Sequence, residues 1–289
     1  MLLVANAAIS LAAIRTNFLS WHFASLFSYQ VDKLEGASPI GVLFVGDSSL
    51  GNAIDARQWQ DATGSVVINA ALTGVYGYEG SLEMLRRAVD TRGVQTVVIM
   101  QTPDMMMRPD SYESLLFSAS SLSSLKDVPP FTLVSWLLSK EIPLSAWRRL
   151  RRGTHPIKEK MREWDYIPQG APENTRAKFP QLVPFSAASI NPGKTDSLVR
   201  LARYCAEHGL RCLYAHGPVA EPLCSDKGGY YSQVNAIIRS TGLDLVSDTP
   251  ICLTRNEIGD SLDHVSPELR RTISTRYFDL IMRPQREGG

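Results

Sequence analysis

The chain has no run of twenty apolar residues, almost no net charge and no closely paired cysteines. Each absence removes a class of protein. A spanning helix needs ~20 consecutive apolar residues. The uncharged stretch that opens the chain, MLLVANAAISLAAI, stops at Arg15. The formal net charge is +1, which makes no global case for nucleic acid, because such partners select a strongly basic face. Cys205, Cys212, Cys224 and Cys252 form no Cys-x-x-Cys pair, so neither a zinc ribbon nor a thioredoxin-type motif is indicated. No P-loop occurs, and the glycines of Gly74-Val75-Tyr76-Gly77-Tyr78-Glu79-Gly80 are spaced GxxGxxG, not GxGxxG. Metal-ligating side chains are not clustered in sequence, and neither a metal nor another cofactor is expected.

Apolar residues make up 44% of the chain, enough for a sizeable core. Short apolar runs at Val42–Val45, Val66–Asn69, Thr96–Met100, Arg211–Ala215 and Leu243–Ser247 read as strands buried on both faces. Helical patterns follow or separate them at Tyr78–Asp90, Lys194–His208, Tyr230–Ser240 and Pro267–Met282. His208-Gly209 closes the second helix, and Ser266-Pro267-Glu268 opens the last. This alternation predicts an α/β fold with a doubly wound, parallel five-stranded sheet.

Residues 37–289 form that domain, with a mainly helical insertion over about 104–191. The insertion carries a basic run, Arg148, Arg149, Arg151, Arg152, Lys158 and Lys160, and three tryptophans, Trp136, Trp147 and Trp164. The run suits acidic polysaccharide, anionic headgroups or a solvated helix face. The tryptophans suit sugar stacking or the insertion's own core. Residues 1–36 read as an anchor, a signal remnant or a packing helix. Cys224 and Cys252, both in loop-like segments, are either a disulfide of an exported protein or buried thiols.

In an open parallel sheet, ligands sit beyond the carboxyl ends of the strands. Gly46-Asp47-Ser48-Ser49, Asn69-Ala70-Ala71-Leu72-Thr73-Gly74 and Gln101-Thr102-Pro103-Asp104 fall there, and Asp260-Ser261-Leu262-Asp263-His264 precedes the last helix. A serine hydroxyl needs a base, and the base needs an orienting partner. Of the five histidines, His22, His155 and His208 have bland explanations, and His216 is a reserve at the end of the fourth strand. His264, in a loop beside two acids, is the candidate base. Ser48 lacks the flanking glycine of GxSxG, since Leu50 stands there, so an α/β-hydrolase elbow is disfavoured.

FVGDSS, then NAALTG, then DSLDHVSPE, in this order and spacing, resemble the motifs of the SGNH/GDSL hydrolase superfamily. The resemblance spans most of the chain outside the N-terminal segment and the insertion. It implies a flavodoxin-like sheet, with Ser48 as nucleophile and His264 as base. It also implies that the Ser48 backbone N–H and Gly74 are oxyanion donors. Ser49 would be a helix-side neighbour. Two positions depart from the family pattern. Pro103 occupies the site of the family's oxyanion asparagine and has no N–H to give. Gln101, Asn69 or a residue of the insertion would have to supply that donor. The family's Asp-x-x-His would place its acid at Ser261, so Asp260 is the favoured orienting acid and Asp263 the alternative.

The apolar N-terminus beside such a domain resembles the cell-envelope branch. That branch adds or removes acyl groups on exopolysaccharides and wall polymers. The expected substrate is an acylated glycan or a small acyl ester, with membrane or envelope-assembly partners and no nucleic acid. The expected location is the periplasm or another extracytoplasmic site. The rival expectation is an inactive SGNH-like domain serving as a scaffold or glycan-binding module.

Overall fold

The computed structural model describes residues 22–37, 39–109 and 173–282, with isolated positions at 5–6, 8–9, 130, 131 and 134. The insertion's basic run, its tryptophans, His155 and the opening apolar stretch lie outside the described residues, apart from those isolated positions. Strands β1 (Val42–Gly46), β2 (Val67–Ala71), β3 (Thr96–Gln101) and β4 (Arg211–His216) pair in parallel, and β6 (Asp244–Leu245) completes the sheet. The order is β2-β1-β3-β4-β6, five strands in all. Such an order is compatible with a doubly wound fold, and it changes direction between β1 and β3.

Every residue of β1 and β2 is buried, so side chains on both faces of the sheet are covered. The apolar, β-branched runs Val42–Val45 and Val97–Ile99 suit that position. Two helical groups provide cover. One contains α1 (His22–Glu35), α4 (Gly77–Arg92) and α6 (Pro192–Glu207). The other contains α2 (Ser48–Ala53), α3 (Ala56–Thr63) and α8 (Arg270–Met282). The short helix α5 spans Glu173–Lys178, and α7 (Tyr230–Ser240) lies against β6. Trp59 joins the second group: its ring meets Phe44 at 4.8 Å and Phe278 at 4.9 Å, both edge-on, and its Nε1–H donates to Ser274 Oγ.

Between β1 and β3 the backbones meet very closely. A Cβ on Gly46 would sit 1.7 Å from the Met100 carbonyl oxygen. Only glycine lets the first strand end here with β3 alongside.

Of the three readings left open for residues 1–36, the described part, His22–Glu35, packs on the domain as α1: Leu26 and Leu34 are buried and Gln30 donates to the Ala71 carbonyl at 2.6 Å. Among the described residues no helix is long and apolar enough to cross a membrane. The helices expected at Tyr78, Lys194 and Tyr230 form within two residues of their bounds. The last opens as a 3₁₀ turn, Pro267–Leu269, before α8. Ser49 lies on α2, the helix side expected of it, whereas α3, eight residues long, was not foreseen. Also unforeseen was a small second sheet, β5 (Val219–Ala220) with β7 (Cys252–Leu253).

Cys224 and Cys252 are joined, and so are Cys205 and Cys212. The first bond ties the segment after β5 to β7, beside the loop that carries Asp260 and His264. Ala220 N–H, on β5, donates to the Leu262 carbonyl of that loop at 2.7 Å. Replacing Cys224 and Cys252 together by serine is expected to lower the unfolding free energy by about 3 kcal/mol. Urea denaturation without reductant measures the loss.

Candidate active site

The turn after β1 is built around Asp47. Its carboxylate accepts from Ser49 N–H at 3.0 Å and Ser49 Oγ at 2.6 Å through one oxygen. The other oxygen accepts from Thr102 N–H at 2.9 Å, on the turn after β3. Asp47 is therefore both the N-cap of α2 and a clamp across the point where the strand order reverses. Capping fixes the adjacent serines differently. Ser49 is fully buried beneath Gly217, where an added Cβ would lie 2.2 Å from its Oγ. Ser48, at the first helical position, is half-buried and its hydroxyl takes no part in this network. Of the two serines, only Ser48 is open to an incoming group.

The loop before α8 supplies His264. Its Nδ1 pairs with Asp260 Oδ1 at 2.8 Å, so Asp260 holds the ring. Asp263 lies on the other side, 3.9 Å from Nε2, which is too long for a hydrogen bond. Asp263 accepts instead from Ser261 Oγ. Helix α8, which follows this loop, packs against α2, which follows the Asp47 turn.

These groups are coupled through their charges. Burial pushes Asp47 up, and Asp263 pushes it further; Arg108, Ser49 and Thr102 hold it back, leaving its pKa at about 6. Burial alone would lower the His264 imidazole, but Asp263, Asp260 and Asp47 outweigh it and raise its pKa. Asp263 feels burial upward, yet His264, Ser261 and Arg108 bring it below the usual carboxylate range.

Gly74 opens a 3₁₀ turn, Gly74–Tyr76, two residues beyond the end of the second strand's neighbour Leu72. Its bare face is occupied: an added Cβ would lie 1.8 Å from Arg108 Nη1. Arg108 follows the 3₁₀ turn Pro103–Met107 and grips Asp104 through Nε at 3.1 Å and Nη2 at 2.9 Å. Arg108 was not singled out from the sequence; the only trace is the Asp104–Arg108 spacing of four.

The side chains weighed as replacements for the missing asparagine are engaged elsewhere. Gln101 Nε2 donates to Ser81 Oγ at 2.8 Å and Gly77 O at 3.3 Å. Asn69 Nδ2 donates to Ile54 O at 3.1 Å, and its Oδ1 accepts from Ala71 N–H. Pro103 is buried and its carbonyl accepts from Tyr230 Oη.

The reserve histidine, His216, is buried with Nε2 on Asn235 Oδ1 at 2.8 Å, and burial lowers its pKa. His208 stacks on Tyr204 at the end of α6. No group of residues suited to a metal ion occurs among the described residues. A cavity of about 280 Å³ lies at the opposite, amino end of the strands, lined by Ser65, Gln95, Thr96 and Arg211, away from Ser48 and His264.

Comparisons with protein-family models, curated proteins and solved structures find no match for the chain.

An amide cannot replace the Asp47 carboxyl without loss. Protonated Asp47 can still accept from Thr102 N–H, whereas the Asn NH₂ opposes it or, if turned, opposes Ser49. Asp47→Asn is expected to cost ~1–3 kcal/mol at acidic pH. The contribution of protonated Asp47 is full below 3.8 and lost as pH rises through about 6, so the wild-type margin narrows over that window. Urea denaturation on both sides of it reads the change.

Proposed function

We propose that the chain is a serine-dependent acyl ester hydrolase or O-acyltransferase of the SGNH type, acting on an acetylated polysaccharide or another cell-envelope glycan. The observation that carries this reading is the Asp260–His264 pair, 2.8 Å long, together with a turn that leaves Ser48 half-buried and buries Ser49. Asp260 on Nδ1 leaves Nε2 as the nitrogen that takes a proton from Ser48 Oγ.

The steps follow from those roles. Ser48 Oγ attacks the ester carbonyl while His264 Nε2 accepts its proton. The carbonyl oxygen becomes an oxyanion, facing the Ser48 and Gly74 N–H groups. Collapse breaks the bond to the sugar oxygen, which leaves with the proton from His264. Water or a sugar hydroxyl then gives its proton to His264 and attacks the acyl-serine, and Ser48 Oγ leaves with that proton. The product is a free acid in one case and a new ester in the other, and exclusion of water decides between them.

Two disulfides fit an oxidising compartment, in keeping with an envelope location. The second reading, a scaffold or glycan-binding module without turnover, draws on Pro103 and on the commitments of Gln101 and Asn69.

A fluorophosphonate probe and an aryl acetate test the proposal. Wild type should be labelled and turn over; Ser48→Ala should lose both, and Ser49→Ala should keep labelling. Unlabelled wild type, or labelling that survives Ser48→Ala, favours the scaffold. With an oligosaccharide acceptor, acetylated sugar marks a transferase, and acetate alone marks a hydrolase.

The base works only when neutral. Because the His264 pKa is raised above 6.5, kcat/KM should climb with pH through a midpoint above that value. Asp263→Asn removes the largest raising charge and should move the midpoint to lower pH. An unmoved midpoint in a pH–rate profile would detach His264 from the base role.

A further inference from the structure

We propose that Arg108 is the oxyanion donor that replaces the missing asparagine, its Nη1 standing over Gly74 where the acyl oxygen gathers charge. This inference rests on the acyl-transfer reading above and assigns a further catalytic residue to it.

Three observations converge. Pro103 cannot donate, and the amides of Gln101 and Asn69 are held by Ser81, Gly77 and Ile54. Among the described residues, the side chains weighed for that position are therefore not free to donate. Arg108 Nη1 fills the space left by the absent Gly74 side chain, so close that a Cβ there would overlap it at 1.8 Å. The contacts with Asp104 use Nε and Nη2, leaving Nη1 as the nitrogen turned to Gly74.

The placement is also built rather than incidental. The Asp104 carboxylate grips the guanidinium from within the same turn. Arg108 N–H donates to Met105 O at 3.3 Å. Asn191, the N-cap of α6, donates to Arg108 O at 3.1 Å. Both ends of the residue are thus fixed before substrate arrives. Arg108 also lies within the electrostatic reach of Asp47 and Asp263, the carboxylates beside Ser48 and His264.

A guanidinium suits the task. It is permanently charged and planar, and its N–H groups keep fixed directions. A charged donor makes a stronger hydrogen bond to an oxyanion than an amide does. As Ser48 Oγ bonds to the carbonyl carbon, the π electrons move onto the oxygen, and Nη1–H donates a hydrogen bond to the oxyanion so formed. No proton leaves Arg108, and the charge returns when the leaving oxygen departs.

Steady-state hydrolysis of an aryl acetate by the full chain is the test. Arg108→Gln should lower kcat by about 100–1,000-fold, the loss typical for one oxyanion donor, with KM little changed. Arg108→Lys should recover part of kcat. Added guanidinium should partly restore Arg108→Ala and leave Ser48→Ala inert, a rescue that a purely structural role would not give. The fluorophosphonate adduct of the wild type should place its phosphoryl oxygen ~3 Å from Nη1. That structure decides the matter even if the Arg108 variants fail to fold. An adduct oxygen turned away from Arg108, or Arg108→Gln with wild-type kcat, would reduce Arg108 to a counter-ion of Asp104. Wild type that neither labels nor turns over would remove the acyl-transfer reading and this inference together.

Discussion

One carboxylate organises the upper edge of this sheet. Asp47 takes three hydrogen bonds from two turns that follow strands β1 and β3. Without it the N–H of Thr102 would be buried with no acceptor, and α2 would lose its cap. With it, the backbone leaves β1 in a single direction that presents one serine and buries the next. The exposed hydroxyl is thus a product of the buried one. Gly46 makes the arrangement possible by letting β3 approach, and Gly217 makes room above Ser49.

The cost of this design is crowding of negative charge. Asp47 and Asp263 are buried and repel each other, and Asp260 and Asp104 stand nearby on His264 and Arg108. Two cationic groups offset them. Arg108 and His264 each face more than one carboxylate, and burial strengthens every pairing because water screens it less. A site of this composition raises the proton affinity of the imidazole and sets a fixed positive charge near the buried carboxylates. Both bear on the proposed acyl transfer, which needs a proton acceptor first and an oxyanion partner at the same moment.

The sheet was legible because its strands are continuous apolar runs, a pattern that surface strands lack. All five expected strands form within about two residues of their bounds. The fifth shrank to Asp244–Leu245, since only Leu213 and Tyr214 of β4 offer it partners. Ser48, Asp260 and His264 were also legible, as polar residues in motifs at the ends of elements. Arg108 was not. Its role depends on a 3₁₀ turn that folds it back over Gly74 and on the absence of a side chain there, neither of which leaves a motif. The Cys205–Cys212 bond was likewise hidden: one cysteine lies on α6 and the other on β4, and only the turn between them, through Gly209 with its positive φ, brings the pair together.

The nucleophile turn lies near the start of the described fold and the base loop just before its last helix. During translation, the roughly two hundred residues between them take about 10–40 s to synthesise. For that interval β1 and its serine exist without α8 and without His264. On the proposed reading a nascent chain carries no competent site, whatever acyl donors surround it, and its sheet lacks a cover that Trp59 and Phe278 later complete. Under that proposal competence arrives with closure of the fold, so a chain stalled before His264 is inert as well as exposed.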